Sequence, residues 1–104
     1  MKEGTHMVRW TRCARMIHGK EPQAIQLAKE LVEWANKKYT GQLNVYMDCF
    51  GEVGTLRFFA DFENLAAVET RLQQVMSDQE YWQRASQFTT LFEGSVFDTV
   101  MATL

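Results

Sequence analysis

The apolar residues of this chain switch repeatedly between a spacing of two and a spacing of three to four, and that succession limits the fold more than any motif does. From Val8 to Ile17, Val8, Trp10, Ala14 and Met16 share one parity, while Arg9, Thr11, Cys13 and Arg15 share the other. This predicts a strand with one apolar face, interrupted on that face only by Arg12. Gly19 ends the strand, and Pro22 sits where a first helical turn tolerates a residue with no N–H. Over 22–39, Ala24, Leu27, Ala28, Leu31, Trp34 and Ala35 recur at three- and four-residue spacing, which predicts an amphipathic helix. Thr40 and Gly41 stop it, with Gly41 able to take the left-handed conformation at a helix end.

Alternation returns over 43–50 and 53–62, separated by Gly51-Glu52, a pair that suits a two-residue type II′ hairpin turn. On one face this register sets Tyr46 opposite Arg57, Asn44 opposite Phe59, Asp48 opposite Thr55 and Phe50 opposite Val53. On the other it sets Met47 opposite Leu56 and Val45 opposite Phe58. Asp61 is placed to cap the next helix, whose stripe is Leu65, Val68, Leu72, Val75 and Met76. Ser77-Asp78-Gln79-Glu80 has capping-box form and opens a further helix carrying Tyr81, Trp82, Ala85 and Phe88, which Glu93-Gly94 breaks. Strand chemistry resumes from Ser95, with Val96, Val100 and Ala102 on one parity, interrupted by Asp98.

The resulting order, β-α-β-β-α-(α)-β, is that of an α+β, ferredoxin-like domain with four antiparallel strands in one sheet and helices on a single face. The second face carries Asn44, Tyr46, Asp48, Phe50, Thr55, Arg57 and Phe59, with nothing from its own chain to cover it. A face with several aromatics is poorly served by water alone, and the economical cover is a second copy. Two such sheets, face to face across a two-fold axis, close a dimeric α/β barrel. The space between them is then either a small-molecule cavity or a filled core.

Composition narrows the partners. Eleven basic residues against thirteen acidic ones point away from nucleic acid, which is held by concentrated positive charge. No apolar stretch approaches the ~20 residues of a membrane helix, so no membrane partner is expected. Cys13 and Cys49 are far apart and belong to no C-x-x-C pair; they read as two reduced thiols, and a cytoplasmic setting is the expectation. The polar start with its His6-Met7 step reads as a cloning remnant over 1–6, which leaves a single domain over 7–104.

Three stretches carry a family resemblance. Ser-Asp-Gln-Glu-Tyr-Trp-Gln at 77–83 resembles the opening of the helix that precedes the last strand in the dimeric α/β-barrel superfamily. Gly-Lys-Glu-Pro at 19–22 and Leu-Arg-Phe-Phe-Ala-Asp-Phe at 56–62 fit the same superfamily, which includes antibiotic-biosynthesis-monooxygenase-like, NIPSNAP-like and stress-responsive barrel proteins. The resemblance spans Met7 to Leu104 and rests on capping and packing residues, so it speaks to fold before reaction. It implies either a cofactor-independent monooxygenase-like enzyme acting on an aromatic or polyketide-type substrate, or haem chemistry. The alternative is a non-catalytic ligand-binding or structural homodimer with a filled barrel.

The residues themselves favour no cofactor. Haem needs an iron ligand facing the cleft, whereas His18, the one histidine outside 1–6, falls in the turn after the first strand. No His, Cys and carboxylate cluster has metal-ligand spacing, and no glycine-rich phosphate loop is present. The sharpest catalytic candidates are Tyr46, Asp48 and Arg57: arginine can hold an enolate, tyrosine can donate a proton, and a desolvated carboxylate can accept one. The same three residues also make sense as a cross-strand polar ladder that fixes barrel closure. Asn44, Phe50, Thr55, Phe59 and Arg12 are the candidate pocket-lining residues around them, with Arg12 either an anion anchor or a stem packed at the sheet edge with a wet head. Asp98 reads as an interface ion-pair member or a pocket acid, and Trp10, Trp34 and Trp82 as core or as ligand-site walls.

Overall fold

The computed structural model describes residues 7–40 and 42–103. Four antiparallel strands, β1 (Val8–Met16), β2 (Asn44–Met47), β3 (Thr55–Phe62) and β4 (Phe92–Ala102), form one sheet in the order β2-β3-β1-β4. Among the described residues, four helices, α1 (Glu21–Lys38), α2 (Leu65–Met76), α3 (Gln79–Ala85) and α4 (Phe88–Leu91), accompany the sheet. With the first and third strands central, this is the ferredoxin-like arrangement expected from the order of periods.

Strand parity decides which side is covered. Ala14 and Met16 of β1, Leu56 and Phe58 of β3, and Phe92 of β4 form one buried cluster with Ala24, Leu27, Ala28 and Leu31 of α1. Those α1 positions are the three-and-four-spaced stripe, and Glu21, Lys37 and Lys38 complement the helix dipole at its two ends. The helices therefore cover the even-numbered face of β1 and β3, and the odd-numbered face is left to the outside.

The hairpin keeps the expected register and loses the expected turn. Asn44 pairs with Phe59, Val45 with Phe58, Tyr46 with Arg57 and Met47 with Leu56. Beyond one further backbone bond, Asp48 N–H to the Thr55 carbonyl at 3.1 Å, the ladder stops. Gly51 and Gly54 both adopt positive φ, +83° and +96°, and the Thr55 N–H donates to the Glu52 carbonyl at 3.1 Å. Gly54 is thus the third residue of a four-residue turn that needs a left-handed conformation there, so residues 48–54 make a loop where two-residue closure was expected. Phe50, expected on a strand, stands in that loop and is 92% exposed.

Three capping expectations are corrected or lie outside what is described. Asp61 does not cap α2: its carboxylate is taken by Arg9 (2.8 and 3.0 Å) while the strand runs on to Phe62. Asn64 caps instead, its side-chain oxygen accepting from the Ala67 N–H at 2.8 Å. Ser77 closes α2, donating to the Gln73 carbonyl, and Asp78 caps α3 through the Glu80 N–H at 2.9 Å. The expected left-handed turn at Gly41 lies outside the described residues. The last helix is also split at Ser86–Gln87, and β4 begins at Phe92, three residues earlier than the alternation suggested. Glu93, Gly94 and Ser95 then form an irregularity in the β1–β4 ladder between the Ala14–Val96 and Met16–Phe92 pairs.

Candidate functional site

Small side chains facing one another leave a hole under the helices. Ala14 of β1 and Ala60 of β3 lie on the sheet floor, and Ala35 of α1 looks down on them. Around these positions is a cavity of about 390 Å³, walled by Trp10, Leu31, Trp34, Phe58, Leu72 and Phe88 among others. That volume falls within the ~300–1,000 Å³ of small-molecule sites, and apolar walls with few polar groups are their usual character.

The polar groups on this wall are held in defined partnerships. Arg12 points to the helix side, where its guanidinium forks onto Asp98 at 2.7 and 2.8 Å and lies 5.4 Å from the Trp10 ring. The Trp10 indole N–H also donates to Asp98 at 3.3 Å. The hydrogen bond from Arg12 holds the Asp98 carboxyl below the usual carboxylate range against the opposing effect of burial. Asp98 in turn raises the Arg12 pKa, with the Tyr81 phenol adding to the effect. Asn36 clamps the Leu43 backbone in both directions, at 2.8 and 2.9 Å, fixing the approach to β2.

A second polar cluster rims the cavity where α1 meets α3. The Tyr39 hydroxyl donates to Asp78 at 2.5 Å, and Lys38 lies 2.8 Å from the same carboxylate. Lys38 first and Tyr39 second bring the Asp78 pKa down to about 2, whereas burial and the bond to Asp78 raise that of Tyr39. Trp34 packs between them, edge-on to Tyr39 at 6.0 Å and stacked on Tyr81 at 6.5 Å.

The catalytic candidates read from the sequence lie on the opposite, uncovered face. Arg57 forks onto Asp48 at 2.8 and 2.9 Å and donates its remaining Nη1 to the Cys13 sulfur at 2.9 Å. The Asp48 bond first raises the Arg57 pKa, and Arg57 lowers that of Asp48. Tyr46 is the cross-strand neighbour of Arg57, yet its ring packs on Phe59 at 5.2 Å, and Arg9 covers Phe59 at 4.5 Å. Asn44, Tyr46 and Phe59 border an open depression with Arg9 and Asp61. Thr55 is buried. Of the pocket candidates, Arg12 alone lines the cavity under the helices. His18 is fully exposed on the β1–α1 turn, 3.6 Å from Glu21. Among the described residues, no group of three His, Cys, Asp or Glu is placed to hold a metal ion.

Two signals for the site under the helices are present in the sequence. Arg12 and Asp98 each interrupt an apolar parity, and the two interruptions face each other directly in the β1–β4 ladder. Tyr39 and Arg71, which also line the cavity, sit at a helix end and on a helix flank, where polar residues carry no positional signal.

No protein-family model matches the chain, and no curated protein matches it. Solved structures do. A NIPSNAP family protein of unknown function from Agrobacterium tumefaciens superposes with a TM-score of 0.82 at 18% identity, over 96% of this chain and 90% of that one. A second NIPSNAP family protein from the same organism gives 0.83 at 17% identity, over 100% and 91%. A candidate antibiotic biosynthesis monooxygenase from Nitrosomonas europaea gives 0.73 at 7% identity, over 100% and 96%. Identities this low speak for the fold and leave the reaction open. The chain has the ferredoxin-like fold shared by NIPSNAP family and antibiotic-biosynthesis-monooxygenase-like proteins.

Proposed function

We propose that this chain binds a compact aromatic molecule in the cavity beneath its helices, as one half of a homodimer. The observation that carries the reading is the cavity itself: about 390 Å³, walled by aromatic and aliphatic side chains. Rings of the ligand stack against Trp10, Trp34 and Phe88, while Arg12 and Tyr81 offer donors to a carbonyl or phenolic oxygen. The reaction such a site fits is monooxygenase-like and independent of a cofactor. Dioxygen delivers one atom to an acidic CH₂ of an electron-rich, polyketide-type ring system; the other leaves as water with the two hydrogens of that CH₂. Arg12 steadies the enolate oxygen formed when the substrate loses its first proton, and the apolar walls keep bulk water from the anion.

The second copy covers the other face. Tyr46, Phe97 and Met101 are 63%, 68% and 55% exposed there, too much apolar surface to leave uncovered. Asp48, Arg57 and Cys13 lock the strands that present it. Native mass spectrometry of freshly purified protein tests both parts at once. A dimer retaining an aromatic small molecule supports the reading, and oxygen uptake with an anthrone-type ketone supports the reaction. A monomer removes the barrel, and a dimer that neither retains nor binds aromatics leaves the non-catalytic, structural homodimer.

A further inference from the structure

Charge on the cavity wall is not balanced, and the imbalance lies at one residue. The cationic side chains lining the cavity, among the described residues, are Arg12 and Arg71. Arg12 is neutralised by its two-pronged bond to Asp98. The acidic lining residues are also occupied: Asp61, whose carboxylate is turned to the outer face, is forked by Arg9, and Glu93 lies 3.7 Å from Arg15. Arg71 has no carboxylate within ion-pair distance among the described residues.

Arg71 is nonetheless held in place. Its Nε donates to Gln74 at 3.2 Å, and its Nη2 donates to the Thr40 carbonyl and, at 3.3 Å, to the Thr40 hydroxyl. The guanidinium carbon lies 5.2 Å from the centre of the Tyr39 ring and 5.7 Å from that of Phe62, both of which line the cavity. Its Nη1 has no acceptor among the described residues. A half-buried cation fixed by two rings and a backbone carbonyl, with donors to spare beside an apolar cavity, is a preorganised receptor for a planar anion.

We infer that the cavity ligand is an aromatic carboxylate, its rings among the apolar walls and its carboxylate on the Nη1 donors of Arg71. This rests on the proposed ligand-binding role of the cavity and adds the charge of the ligand and the residue that selects it. Tyr39 supports this placement, because its hydroxyl bond to Asp78 fixes the ring against which the guanidinium lies.

The test compares two probes of equal shape, 2-naphthoate and 2-naphthamide, titrated against the wild type, Arg71→Gln and Arg71→Lys with tryptophan fluorescence or calorimetry as readout. The wild type is expected to favour the anion by about tenfold or more, the usual worth of a charge-assisted hydrogen bond. Arg71→Gln is expected to bring the ratio close to one, and Arg71→Lys to retain part of it. Because both probes are measured on the same sample, partial loss of folding in a variant cancels from the ratio. A wild-type ratio near one, or a preference that survives Arg71→Gln, overturns the inference while leaving the cavity as a site for neutral aromatics. Failure of both probes to bind overturns the cavity reading and this inference together.

Discussion

The two faces of this sheet are made of the same strands and treat their charges in opposite ways. Beneath the helices, Arg12 and Asp98 pair once, at the edge of an apolar cleft that one chain lines. On the outer face, Arg9–Asp61 and Arg57–Asp48 run across the strands as a polar lattice, with Tyr46, Phe97 and Met101 exposed between and beside them. A face roofed by its own helices can hold a ligand with one chain, whereas the uncovered face locks strands and offers itself to another surface. On the proposed reading, binding belongs to the covered side and assembly to the uncovered one.

The largest expected effect breaks the outer face. Phe97→Asp places a charge where the second copy would sit, and a two-fold contact loses it twice. At about 2 kcal/mol for each anchor, the dimer dissociation constant rises roughly 10³-fold, which sedimentation equilibrium would register as monomer at micromolar concentration. An unchanged oligomeric state would separate assembly from this face.

Phe58→Ala breaks the inner face. Phe58 is buried between β3 and α1, and its truncation is expected to cost about 3–5 kcal/mol in chemical denaturation. A smaller loss attends Asp98→Ala, which leaves a partly buried Arg12 without its carboxylate. About 1–3 kcal/mol is expected after allowing for solvent access to both groups. Asp98→Ala should also weaken binding of a neutral aromatic less than Phe58→Ala does, since Phe58 lines the cavity and Asp98 reaches it only through Arg12.

The smallest effect is a pH dependence at the rim. Asp78 titrates at about 2 in the folded protein and near 3.8 when free of its partners. Its contribution is therefore complete above about pH 5 and is lost as pH falls from about 4 towards 2. Asp78→Asn preserves a good helix cap but removes the charge that Lys38 and Tyr39 stabilise. The gap in melting temperature between wild type and variant should be constant above pH 5 and close below pH 4. A gap that ignores pH would show that the cap alone matters.

Much of this arrangement is legible in the chain before any coordinates. The alternation over 8–17 and 43–62 locates the strands, and its phase sets Tyr46 against Arg57 in the register found. The tight turn does not form because Gly51-Glu52 meets only the local rule for closure, while Gly54 offers a second left-handed position three residues later. Caps shifted for a comparable reason. Ser77 and Asp61 satisfy the local patterns, but a carbonyl of the preceding helix claims one and Arg9 the other. The site was the least legible part. Periodicity marks Tyr46, Asp48 and Arg57 as polar residues on an uncovered face, and a pocket between two sheets then follows. The cavity under the helices arises from small residues, Ala14, Ala35 and Ala60, whose opposition across layers is visible only when the layers are stacked.

Mapping of chemical-shift changes while 2-naphthoate is titrated into the labelled protein tests the division of labour between the faces most directly. Shifts are expected at the indole N–H groups of Trp10 and Trp34 and at the backbone amides of Leu72 and Phe88. The amides of Cys13, Arg57 and Phe97 should stay in place. Shifts gathered on Cys13, Tyr46, Arg57 and Phe97, with Trp10 and Trp34 silent, would put the ligand on the outer face and contradict the assignment.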